Sequence, residues 1–234
     1  MKRSVLATTA AAAAVIWAVA EFTRSRPLRM GATREESGQP LPGDELVPEP
    51  NYIRTAATTI NARPEDVFPW LLQMGNHRGG LYSYDFLDRL FGMLDAPSAK
   101  TILPEFQHLE PGDRIPVGRG GSLEVKAVVP DRCLVLGPEE PWVTWQIALD
   151  PVDAEHTRLI SRNRAKLPVA PLARFKMMAM DVAAFIMIRR FLAVLKERAE
   201  GLAADRLYDR VGEETPLDPS PSPEALAETT MAPA

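Results

Sequence analysis

Between residues 113 and 167 the apolar positions recur with a period of two, and from about 172 to 207 the period becomes helical. This switch, more than any other feature, limits what the chain can fold into. Leu123, Val125, Ala127 and Val129 alternate with Glu124 and Lys126. Strand-like runs follow at 132–136, 142–149 and 158–167, separated by turn signals at 118–121, 130–131, 137–141 and 150–155. Short strands joined this closely pair with their sequence neighbours, so an antiparallel meander is expected. In the closing helix Met177, Met180, Ala184, Ile188, Phe191, Leu195 and Leu202 share a spacing, while Arg189, Arg190, Lys196, Glu197 and Arg198 face elsewhere.

Ahead of the meander, residues 52–60 read as a strand from their β-branched content, Ile53, Thr55, Thr58, Thr59 and Ile60. Asn61 as cap, Pro64 in the first turn, and Glu65 and Asp66 at the positive dipole end open a helix. Val67, Trp70, Leu71 and Met74 form its apolar face. A second helical run, 84–91, has Phe86, Leu87, Leu90, Phe91 and Leu94 as its apolar side, and 95–112 is irregular. One strand, two helices, a meander and a long final helix describe an α+β domain in which that helix covers one face of a curved sheet.

The ends differ in character. Residues 4–20 hold no charge and are alanine-rich, with Lys2 and Arg3 before them and Arg24 and Arg26 after. As a helix the run spans about 25 Å, slightly under a hydrocarbon core of roughly 30 Å. It reads as an N-terminal apolar helix over 1–22 that anchors the chain in a membrane; the alternative is a signal peptide cleaved near Ala20, since Ala18-Val19-Ala20 fits the small-x-small pattern. Residues 23–50, broken by Pro27, Pro40, Pro42, Pro48 and Pro50, read as a linker. Residues 212–234 carry five acidic and no basic residues among prolines, the composition of a disordered tail. The domain is then 51–211. A net charge of −4 disfavours a nucleic-acid partner. Cys133 is the one cysteine, which excludes an internal disulfide and a Cys-rich zinc site.

Three longer motifs carry a resemblance: Leu-Pro-Gly-Asp-Glu-Leu-Val-Pro at 41–48, Gly79-Gly80-Leu81-Tyr82-Ser83-Tyr84-Asp85, and Ile-Leu-Pro-Glu-Phe-Gln-His-Leu at 102–109. With the order of elements over about 51–205, they make the chain similar to the SRPBCC superfamily of START domains, Bet v 1 allergens and polyketide cyclases. The resemblance is greatest to an uncharacterised bacterial, membrane-anchored subfamily. It implies a helix-grip fold, a curved antiparallel sheet wrapped around a long C-terminal helix, with a deep apolar cavity between them. It implies no single reaction, since members bind, transport or transform ligands.

Elements that converge on such a cavity contribute Trp70, Met74, Tyr82, Tyr84, Trp145, Met177, Phe185 and Ile188 as candidate ligand contacts. Methionine and aromatic side chains suit a variable apolar ligand, and equally an ordinary core. On 157–165, Leu159, Ser161 and Asn163 share one strand face and Arg158, Arg162 and Arg164 the other. With the arginines toward solvent, Ser161 and Asn163 point inward, to a ligand's polar end or to nearby backbone. Arg78, Asp85 and His108 form a possible polar cluster beside Asn76, His77 and Tyr82. Such groups serve acid–base chemistry when held near a substrate proton, or else a structural network. No spacing suggests a metal, and no motif suggests a cofactor. The expected function is binding of a hydrophobic small molecule or lipid. The alternative is a cofactor-independent enzyme of cyclase or dehydratase type using the same cavity, and a third reading is an interaction module working through the tail or linker.

Overall fold

The computed structural model describes residues 28–167 and the helix Pro171–Glu214, with side chains described over 29–167 and 184–208. The uncharged run 4–20, the tail beyond 214 and the side chains of Met177 and Met180 lie outside the described residues.

Among the described residues seven strands form one sheet: β1 (Leu28–Met30), β2 (Tyr52–Ile60), β3 (Arg114–Pro116), β4 (Ser122–Val129), β5 (Cys133–Gly137), β6 (Val143–Pro151) and β7 (Thr157–Ala165). Their spatial order is β1-β2-β7-β6-β5-β4-β3. The meander expected from the alternation is therefore present as β3 to β7. β2 pairs antiparallel with β7 along its whole length, Tyr52 opposite Ala165 and Ile60 opposite Thr157. β1 runs parallel to β2. The β4–β5 register slips between Val125 and Ala127, a bulge of the kind that curves a sheet.

Among the described residues four α-helices accompany the sheet: α1 (Arg34–Gly38), α2 (Pro64–Leu72), α3 (Asp85–Leu90) and α4 (Pro171–Glu214). The architecture is an α+β helix-grip fold, a curved open sheet closed on one face by the long α4. α2 begins at Pro64 with Arg63 rather than Asn61 as its cap. Val67, Trp70, Leu71 and Met74 are buried as their spacing predicts. α2 packs on α4 where Leu195 and Ala199 are buried, and the buried Asp66 joins Arg63 and Arg206 there. α3 departs from its predicted apolar side: Phe86, Leu90 and Phe91 are exposed, while Asp88 is buried.

The convex face corrects two expectations. From Leu28 on, the segment read as a linker is built into the domain, and Arg158, Arg162 and Arg164 are not solvent-facing. Residues 31–50 cross this face as a strap. Arg158 grips Glu36 with two hydrogen bonds of 2.7 and 3.0 Å. Arg162, 2% exposed, donates to the carbonyls of Glu36 at 2.6 Å and Gln39 at 2.9 Å. Arg164 donates to Val47 O at 2.7 Å. A proline-broken segment has carbonyls without ladder partners, and buried carbonyls need donors; the arginine row supplies them. Leu41 packs beneath the strap in the buried cluster of Ala57, Cys133, Val135, Ala148 and Ile160. Gly43 lets it lie close: its φ is 89°, and a Cβ there would fall 2.6 Å from Val135 Cγ1. Burial pushes the Cys133 thiol up to about 12, so it is an unreactive core group.

Candidate ligand cavity

Alternate residues of β2, β6 and β7 point to the concave side, so Ala56, Ile60, Ile147, Leu149 and Leu159 join Phe191 and Leu195 of α4 in one core. Where β2 and β6 end and β7 begins, α2 fills the space beneath the sheet. At the opposite end, where β2 and β6 begin and β7 ends, there is a cavity of about 400 Å³. Ligand pockets run from roughly 300 to 1,000 Å³, so this is the size of a small-molecule site.

The sheet contributes Tyr52, Arg54, Val143, Trp145, Asn163 and Ala165 to its wall. The segments flanking α3 contribute Leu81, Ser83 and Met93, the β3–β4 hairpin Val117 and Leu123, and α4 Ala184, Met187, Ile188 and Phe191; Trp142 and Leu167 complete it. Most of the wall is apolar, so its few polar groups decide orientation. Arg54 is 5% exposed, sits opposite Asn163 in the β2–β7 register, and lies 5.7 Å from the centre of the Phe185 ring. A guanidinium stays charged at any physiological pH and has five donors, so it can serve protein and ligand together. Ser83 donates to the fully buried Asp88 at 2.5 Å, leaving its oxygen as an acceptor. Burial raises the Asp88 carboxyl above its ordinary value against the opposing effect of that hydrogen bond. Trp145 is fixed by a 2.9 Å bond from Nε1 to Ser161 Oγ and an edge contact with Phe191 at 5.3 Å.

Of the residues singled out in the sequence, Trp145, Asn163 and Ile188 are in the wall. Ser161 is one layer behind, holding Trp145. Phe185 is exposed against Arg54, and Tyr84 is exposed with Arg190 5.8 Å from its ring centre. Trp70, Met74 and Tyr82 do not line the cavity. They belong to the filled end, where Trp70 meets Tyr82 edge-on at 6.1 Å and Gln73 donates to the Tyr82 hydroxyl at 2.8 Å. Burial there raises the Tyr82 phenol well above its ordinary value.

The polar cluster does not assemble. Arg78 donates to Met74 O at 3.0 Å and Leu72 O at 2.9 Å, finishing the last turn of α2, and stacks 4.5 Å from the Phe106 ring centre. Asp85 accepts from Ser98 N at 3.0 Å and Ser98 Oγ at 2.7 Å. His108 is exposed and outside the cavity wall. All three are spent on loop structure or solvent. Among the described residues no group of three or more His, Cys, Asp or Glu is placed to hold a metal ion, and no helix is long and apolar enough to cross a membrane.

Arg54, Tyr52 and Ser83 were missed. Arg54 had a signal: it shares a strand face with Ala56 and Ile60, so the alternation that places those inside places it there too.

The order of strands and helices is that of the helix-grip fold, the architecture that the resemblance to the SRPBCC superfamily implied. Structures with a similar fold include a protein from Thermobifida fusca, at 14% identity over 64% of this chain and 94% of that one, with a TM-score of 0.40. A Polyketide_cyc-like protein from Corynebacterium glutamicum is 15% identical over 67% of this chain and 92% of its own, with a TM-score of 0.30. CalU16 from Micromonospora echinospora is 14% identical over 65% and 86%, with a TM-score of 0.31. No family model matches the sequence, and no curated protein matches it.

Proposed function

We propose that this protein binds a mostly apolar small molecule or lipid with a polar, hydrogen-bond-accepting end, in a domain tethered to a membrane by residues 4–20. The carrying observation is the cavity itself: an apolar chamber with one buried arginine, Arg54, facing Asn163 across the β2–β7 pair. Apolar surface removed from water contributes about 25 cal/mol per Å² before binding costs. The polar end is oriented by the Arg54 guanidinium, and a carboxylate or carbonyl suits it. No observation favours the cyclase or dehydratase reading over this one, because Arg78, Asp85 and His108 stand outside the wall.

A fluorescent long-chain carboxylic acid, titrated into the full chain, tests the reading. Saturable binding is expected. Arg54→Leu weakens it about tenfold or more, since a hydrogen bond to a charged group is worth roughly 1.5–3 kcal/mol. Equal affinity in wild type and Arg54→Leu would remove the arginine from the account, and no saturable binding would remove the cavity.

A further inference from the structure

The cavity lies at the end of the sheet at which β1 begins. β1 runs parallel to β2 with Leu28 opposite Arg54 and Met30 opposite Ala56. Arg54 lines the cavity, so Leu28, where the described chain begins, stands at the cavity end. Seven residues, 21–27, separate β1 from the uncharged run 4–20. Fully extended they reach about 25 Å. α4 begins at the same end, a few residues after Leu167, and its first 18 residues include only Arg174, Lys176 and Asp181 as charged side chains.

Five of the exposed apolar side chains belong to the elements around the cavity. Trp142 is 50% exposed, Phe185 41% and Ile186 46%, and Phe86 and Leu90 of α3 are 76% and 61% exposed. α3 is bracketed by Ser83 and Met93, both in the cavity wall, and Gly92 and Met93 sit against Gly118 of the β3–β4 hairpin at that end. Exposed apolar side chains concentrated around a cavity mark an interaction surface. One helical turn beyond Phe185 and Ile186, α4 presents the exposed Arg189 and Arg190, set to meet phosphate headgroups.

We infer that the mouth of the cavity docks on a lipid bilayer, with the rim at the lipid surface and the cavity opening into it. This rests on the tether in the preceding reading, and it does not require any ligand to bind. The apolar run 4–20 suits a bilayer better than a seat on the rim. A helix lying in a surface groove shows water a polar face, and this run has only Ser4, Thr8 and Thr9 as polar residues. A bilayer covers it on every side.

The test uses the full chain carrying Phe86→Cys, Ile186→Cys or, at the far end of the sheet, Val152→Cys, each labelled with an environment-sensitive fluorophore. The buried Cys133 resists labelling. The proteins are reconstituted with vesicles of phosphatidylcholine or of dibrominated phosphatidylcholine and floated on a gradient. The expected result is flotation, with blue-shifted emission at 86 and 186 that is mostly lost in the brominated lipid, and unshifted, unquenched emission at 152. Water-like emission at 86 and 186 in floated protein overturns the docking and leaves the tether standing. Blue-shifted but unquenched emission there also overturns it, because protein then covers the rim: residues 4–20 or a second copy. Failure to float overturns the tether and the docking together, while the carboxylic acid titration still decides the cavity.

Discussion

On the convex face of the sheet the strands present Thr144, Gln146, Arg158, Arg162 and Arg164, yet a strap covers most of that face; on the concave face they present mainly apolar side chains, yet one end of it is hollow. The polarity of a strand face therefore reports the chemistry of its partner rather than the presence of water. The partner of the convex face is an irregular strap whose carbonyls need donors, and arginines meet them. The partner of the concave face is α4, a helix longer than the sheet is wide, helped by an α2 of nine residues that covers one end only. The strap backs the sheet on one face; on the other, an α2 that covers one end only leaves a chamber at the opposite end. A site built on strands and helices in this way is held more firmly than one built on loops.

The largest effect expected is on the strap-covered face. Arg162→Ala removes donors from two strap carbonyls and one of the partners of Asp44, and should cost about 3 kcal/mol in chemical denaturation. Hydrogen exchange in β1 and α1 should rise with it. A cost within a few tenths of a kcal/mol would mean that the strap is solvated and the contrast between the faces is false.

The second effect separates the two ends of the concave face. Leu195→Ala, at the filled end with no exposure, should cost about 2–5 kcal/mol. Ile188→Ala, in the cavity wall, should cost about 1 kcal/mol, because a side chain facing a void has fewer partner atoms to lose. Equal costs in parallel denaturation curves would show that the chamber is filled.

The smallest effect is in acid. Arg158 holds the Glu36 carboxyl below its ordinary value of 4.5, despite some desolvation. The contribution is then complete above that value and is lost as pH falls below it, through the lower value of the folded state. Denaturation midpoints of wild type should decline over that window, and Glu36→Gln should flatten part of the decline. Identical acid profiles would detach the strap from this ion pair.

Much of the fold was legible because alternation and helical spacing are local signals: the β3–β7 meander, the buried face of α2 and the long α4 follow from them. The strap was not legible. Its prolines forbid regular structure but do not forbid burial, and the donors that make burial tolerable lie on β7, more than a hundred residues away. The cue was a pair of complementary patterns, arginines at every second or fourth position of 158–164 and acids at Glu36 and Asp44. The cavity was half legible. Strand faces put Trp145 and Asn163 on the correct side, and helical spacing did the same for Ile188. Which end of the concave face is empty depends on the length of α2, and the convergence of elements that a helix-grip fold implies placed Trp70, Met74 and Tyr82 in the chamber, whereas they fill the other end. For α3 the apolar spacing is present in the sequence, but among the described residues Phe86, Leu90 and Phe91 stay exposed while Asp88 is buried.

The most direct measurement is native mass spectrometry of the full chain released from lipid nanodiscs, wild type beside Ala184→Trp. Ala184 lines the cavity from the α4 side and is itself exposed, so an indole there occupies the chamber without straining the sheet. The account predicts a reproducible apolar adduct on wild type that denaturation releases, and its loss in the variant. A bare wild-type mass, or the same adduct on both proteins, would contradict it.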